Sequence, residues 1–201
     1  MSSRPAVQID AAVVLDLHSR AAEGFFAMPA EHLSAVPVLA DALRGEVGVN
    51  AVIVAPDLGA VKLADRYARV WGCPVATIHK TRLSGTDVRV QQIVGDVRDR
   101  VPFIVDDMIS TGGTVAAAVR ALIAAGCRPD LTVVATHGVF ADRAVETLRA
   151  LPIGRIITTD SVAPRADLAV PVRVVSVAPL LSEVLARLDR DQSLGDLVSH
   201  G

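Results

Sequence analysis

"VPFIVDDMISTGGTVAAAVRALIAAG", residues 101–126, reads as a buried strand, a polar turn and a helix in immediate succession. The apolar run "PFIVD" (102–106) has strand length, and Val105 completes it before Asp106 and Asp107 stand where the chain leaves the sheet. Beyond "STGGT" the Ala- and Leu-rich segment "VAAAVRALIAAG" is a strong helix former, so a helix is expected over 112–126. A strand that turns sharply into a helix is the repeating unit of parallel α/β sheets.

The same rhythm extends outward in both directions. Strand-length runs fall at 11–16, 51–55, 74–78, 131–136, 155–159 and 172–177, and helical patterns at 34–44, 59–72, 141–151 and 178–188. We expect a mainly parallel central sheet with helices on both faces, joined by right-handed crossovers. The passage 79–100 mixes charge with Ser, Gly and Thr, which suggests an excursion built as a short hairpin.

Composition fits that architecture. At 201 residues the chain can bury about 70% of its unfolded surface. Hydrophobic residues make up 51% and aromatics only 3%, so the core must be built from Val, Ala, Leu and Ile. A net charge of −2 gives no reason to expect nucleic acid or an anionic membrane as a partner. The first residues, "MSSRPAVQID", lack the apolar centre of a secretion signal, and no run of 18 uncharged apolar residues occurs. Cys73 and Cys127 have no metal-binding spacing and read as reduced thiols, which with the rest points to the cytoplasm.

In parallel sheets, ligands collect beyond the carboxyl ends of the strands. Six consecutive strand ends here carry chemistry-bearing groups: Asp16 and His18, Asp57, His79 to Arg82, Asp106 and Asp107, Thr136 and His137, and Thr158 to Asp160. In the opening stretch, Gly112 and Gly113 let backbone amides approach a ligand, Ser110, Thr111 and Thr114 add hydroxyls, and the helix tip adds positive partial charge. That combination suits a phosphate. The paired acids repel a phosphate but suit the hydroxyls of a sugar or the waters of a divalent metal. A sugar phosphate satisfies both halves. The stretch contains neither GxxxxGK[ST] nor GxGxxG, and both lysines of the chain, Lys62 and Lys80, lie elsewhere.

"VDDMISTGGTV" resembles the phosphoribosyl pyrophosphate signature of the type I phosphoribosyltransferase fold. "VVLDLHSRAAEGFFAMPAEHLSAVPVLADAL" (13–43), "VIVAPDLGAVKLADRYA" (52–68), "ATIHKTR" (76–82), "THGVF" (136–140) and "TTDSV" (158–162) resemble, in order, segments of the ribose-phosphate pyrophosphokinases. The resemblance implies that Asp106, Asp107, Ser110, Thr111, Gly112, Gly113 and Thr114 bind ribose 5-phosphate. It implies that His18 and Asp57 hold the Mg²⁺ that accompanies ATP, and that Lys80 and Arg82 stabilise the transferring diphosphoryl group. Many relatives place Asp where this chain has Ser110.

The matching begins midway through the family's N-terminal domain, so residues 1–45 are expected to form a remnant domain or flap beside a phosphoribosyltransferase-like body of 46–201. The family's ATP-recognition segments have no counterpart in that expectation. Three functions stay open: a ribose-phosphate diphosphokinase using ATP, a phosphoribosyltransferase consuming phosphoribosyl pyrophosphate, and a non-catalytic subunit of a full-length synthetase. An oligomer is implied: a homo-oligomer, or in the third case an assembly with a full-length synthetase.

Overall fold

A computed structural model describes residues 9, 11–83, 88–141, 143–165 and 167–198, with the side chains of 20, 23, 80–83 and 88–91 left aside. A seven-stranded sheet forms its centre. The strands are β3 (Ala51–Ala55), β4 (Val75–Leu83), β5 (Val88–Val94), β6 (Val101–Ile109), β7 (Leu131–Gly138), β8 (Ile153–Thr159) and β9 (Val172–Val175), in the order β5-β4-β3-β6-β7-β8-β9. Every pairing is parallel except β4 with β5, which is the hairpin expected within 79–100.

Sheet burial follows from what covers each face. All five residues of β3 are buried, as a central parallel strand requires. Ile53, Phe103, Val105, Val134 and Ile157 pack with α1 (Val36–Leu43) and α2 (Val61–Trp71). Val52, Val54, Ile104, Val133 and Ile156 pack with α3 (Gly113–Ala124) and α4 (Ala144–Arg149) on the opposite face. The alternation of odd and even positions is the period-2 pleat sorting side chains between two cores. Helix α1 falls within the first 45 residues and shares its core with β3, β6 and β7.

The expected strand at 11–16 forms as β1 (Ala12–Leu15) but lies outside the main sheet. It pairs in parallel with β2 (Ala30–Leu33), which the sequence did not announce, since "AEHL" is short and half polar. Leu33 makes an antiparallel bridge to Val198 and packs with Val184 of α5 (Ala178–Asp189) and Leu194, forming a small satellite core.

Strand order reverses between β3 and β6. From β3 the chain crosses to β4 on one side, and from β6 to β7 on the other. Such a switch point opens a crevice beyond the carboxyl ends of the two strands. Asp57 follows β3 and Asp106 lies on β6, so the fold carries both to the crevice.

Candidate functional site

Strand β6 runs three residues past the predicted end at Asp106. Its register with β3 stops at Ile104, whereas its register with β7 continues to Ile109 opposite Gly138. Asp106 and Asp107 therefore sit within a strand that has outrun one neighbour, at the wall of a notch rather than on a loop. The chain then passes Ser110 and Thr111 to Gly112, whose φ of +76° is left-handed, and enters α3. A side chain at 112 would meet Leu148 at 3.2 Å, so glycine suits this position twice over. The first helical bond is donated by the Ala116 amide to the Gly112 carbonyl at 2.8 Å. The amides of Gly113, Thr114 and Val115 have no acceptor inside the helix, which suits this helix tip to an anion.

These groups line a cavity of about 370 Å³ together with Asp16, Leu17, His18, Asp57, Leu63, Asp106, Asp107 and Met108. Every ribose 5-phosphate residue expected from the sequence is in that lining, and so are His18 and Asp57. Asp57 caps the short turn 58–60 by accepting the Gly59 amide at 3.0 Å. Lys80 and Arg82 belong to β4, and their side chains lie outside the described residues.

The two acids are not equivalent. Asp107 Oδ2 lies 2.8 Å from His18 Nδ1, whereas its buried Oδ1 has no hydrogen-bond partner among the described residues. A carboxylate only accepts, so the His18 ring donates from Nδ1. That bond and the charge of Asp107, followed by the charges of Asp106 and Asp57, raise the His18 pKa above its ordinary value. Among the described residues, Asp106 accepts the Asp107 amide alone, at 3.0 Å. Burial first, and the adjacent Asp107 charge second, push its pKa up to about 7.

A raised acid pKa has a definite sign. The folded state holds the Asp106 proton more tightly than the unfolded chain does. Its contribution to stability is thus greatest at low pH and falls as pH rises from about 4 to about 7. Asp106→Asn is expected to raise the Tm of the ligand-free protein at pH 8 by about 2–6 °C, corresponding to roughly 1–2 kcal/mol, and by less at pH 5. Thermal unfolding at the two pH values checks this, and an equal change at both defeats it.

Residues 35–150 match the family described as "Phosphoribosyl transferase domain". The chain belongs to that family. Within the phosphoribosyl transferase domain family it is similar to proteins named ribose-phosphate pyrophosphokinase. The one from Aquifex aeolicus is 39% identical over 186 residues, covering 92% of this chain and 60% of the relative. The one from Streptomyces coelicolor is 36% identical over 192 residues, covering 94% and 59%. The crystal structure of phosphoribosylpyrophosphate synthetase from Mycobacterium smegmatis superposes with a TM-score of 0.81 at 34% identity, over 90% of this chain and 59% of that one. The chain thus spans about three fifths of the length of the relatives it matches.

Two further residues at or near this cavity escaped the sequence-based candidates. Asp16 lines the cavity, and its Oδ2 accepts the Thr136 hydroxyl at 2.7 Å and the Ala35 amide at 2.8 Å. His137 reaches the Leu15 carbonyl at 3.1 Å with Nε2. Both were visible as polar strand ends, but partners more than a hundred residues apart leave no local signal. Asp160, on the same list of strand ends, accepts the Val177 amide at 2.8 Å and so anchors the start of α5.

Proposed function

We propose that the chain acts as a ribose-phosphate diphosphokinase, transferring the diphosphoryl group of Mg-ATP to a hydroxyl of ribose 5-phosphate to give phosphoribosyl pyrophosphate and AMP. One observation carries the reading: the first-turn residues of α3 and the acid pair Asp106 and Asp107 line one switch-point cavity. The amides with Ser110, Thr111, Gly112, Gly113 and Thr114 bind the 5-phosphate, and the carboxylates accept the ribose hydroxyls. Lys80 and Arg82 take the charge of the transferring group, since such transfer is mostly positioning and neutralisation.

Mg²⁺ fits the donors present. No three His, Cys, Asp or Glu side chains among the described residues converge into a cage. Mg²⁺ usually keeps several waters and arrives with substrate phosphates, needing only one or two protein groups. Asp57 and His18 hold such an ion in this reading, and Mg²⁺ would supply charge neutralisation for the polyphosphate. The unpartnered Oδ1 of Asp107 is one more oxygen of the right kind.

Within residues 1–45, the segment that carries Asp16 and His18 serves as a flap beside the body of 46–201, while α1 packs into that body. The working unit is a homo-oligomer, supported by the exposed stripe Leu181, Leu185 and Leu188 on α5, spaced i, i+4, i+7. Two free cysteines, and the lack of any described helix long and apolar enough to cross a membrane, support a cytoplasmic setting.

Incubation of the pure protein with Mg²⁺, ATP and ribose 5-phosphate is expected to release AMP. No AMP above background, with ribose 5-phosphate still bound, overturns the synthetase reading and leaves a binding subunit. Diphosphate release from phosphoribosyl pyrophosphate and a base points instead to a transferase.

A further inference from the structure

We propose that His137 is a positioning residue that fixes the turn after β1, and through that turn holds His18 against Asp107. The proposal rests on the reading of the cavity as the reacting site. Nε2 of His137 lies 3.1 Å from the Leu15 carbonyl and 3.3 Å from the Asp16 carbonyl. Carbonyls only accept, so Nε2 carries the proton and donates to both. In the neutral ring Nδ1 then accepts, and the Ser161 hydroxyl lies 2.8 Å from it. Thr159 donates its own hydroxyl to the Thr136 carbonyl at 2.7 Å; Ser161 Oγ lies 3.3 Å from that carbonyl and 2.8 Å from the ring, so the ring is the nearer acceptor for its proton. The ends of β7 and β8 thereby set the tautomer that grips β1.

Asp16 needs that grip. Its φ of +39° is unusual for a residue with a side chain, and such a conformation persists only when its surroundings over-determine it. Here its amide donates to the Leu33 carbonyl at 3.0 Å, its carboxylate accepts from Ala35 and Thr136, and its carbonyl accepts from His137. Two residues later His18 meets Asp107. The geometry is tied to one register, because His137 pairs with Met108, the residue next to Asp107, across β6 and β7. One strand pairing thus sets both the acid that His18 touches and the imidazole that places His18.

The test uses His137→Ala, His137→Gln and His137→Asn in the full chain, read by amide hydrogen exchange and by AMP release. Gln can put an amide donor where Nε2 stood, whereas Asn reproduces only the Nδ1 position. His137→Ala is expected to speed exchange at the Asp16 and Ala35 amides about tenfold or more, while β3 and β6 keep their protection. It should lower kcat about 10–100-fold with little change in KM for ribose 5-phosphate, since small misplacements act on the chemical step. His137→Gln should restore exchange and kcat to within about threefold, and His137→Asn should behave like Ala. If His137→Ala does not fold, Ser161→Ala replaces it, with faster exchange at the same two amides expected. Unchanged exchange in the Ala variants, or equal rescue by Asn and Gln, overturns the proposal. A wild-type protein that releases no AMP defeats the proposed function alone, since the exchange series still decides the role of His137.

Discussion

Replacing both Asp106 and Asp107 by Asn is expected to weaken ribose 5-phosphate binding at least about 100-fold while leaving inorganic phosphate bound. Hydrogen bonds from a sugar hydroxyl to a carboxylate contribute about 1.5–3 kcal/mol each, so losing two costs about 3–6 kcal/mol, or 10²–10⁴ in Kd. Asn keeps one acceptor oxygen per side chain, which is why the lower end is the sensible threshold. The phosphate half of the cavity consists of α3 amides and hydroxyls that neither substitution touches. Removing two negative charges from its neighbourhood should, if anything, strengthen phosphate there. The variant should also fold, because the wild-type pair is half-buried like charge that raises the Asp106 pKa. Calorimetric titration with both ligands reads the outcome. Unchanged ribose 5-phosphate affinity, or parallel loss of both ligands, would remove these acids from the site.

Gly112→Ala is the second large effect, and its cause is conformational. A left-handed φ of +76° costs a non-glycine residue about 1–2 kcal/mol. The added Cβ would stand 3.2 Å from both Cγ and Cδ2 of buried Leu148, so α4 must give way as well. A total of about 2–3 kcal/mol lowers Tm by roughly 4–12 °C in a chain of this size, with weaker phosphate binding as the loop shifts. Gly113→Ala is the control. Its Cβ would meet only Thr111 Oγ1, at 3.6 Å, in ordinary contact, so its Tm should stay within about 2 °C of wild type. Equal melting of the two variants would show that the turn does not depend on the left-handed residue.

Much of this was legible along the chain because the signals were local. The apolar runs at 51–55 and 131–136 read as buried strands, and Gly112 followed by an Ala-rich run marked the start of α3. Seven candidates within residues 106–114 line one cavity and lie on one short stretch, so a linear reading could group them. What stayed hidden depends on distant pairings. The extension of β6 to Ile109 comes from β7 continuing beside it, which no property of "DMI" reveals. The displacement of β1 into its own small sheet depends on β2, whose four residues carry too little pattern to be seen. His137 and Asp160 both looked like rim residues. Their roles, one on the carbonyls of β1 and one on the amide of Val177, follow from tertiary contacts.

The raised pKa of Asp106 makes ligand binding an exchange rather than an addition. With its pKa pushed up to about 7, this carboxyl holds part of a proton near neutral pH, at the place where the proposed sugar hydroxyl would donate. Under the proposed function, ribose 5-phosphate should select the ionised form and expel that fraction to solvent. Its heat of binding at pH 7 should therefore vary with the ionisation enthalpy of the buffer, and Asp106→Asn should flatten the dependence. Above pH 8.5 the expelled fraction should vanish. A chain that meets its ligand this way couples occupancy to acidity, filling less readily as its surroundings turn acid.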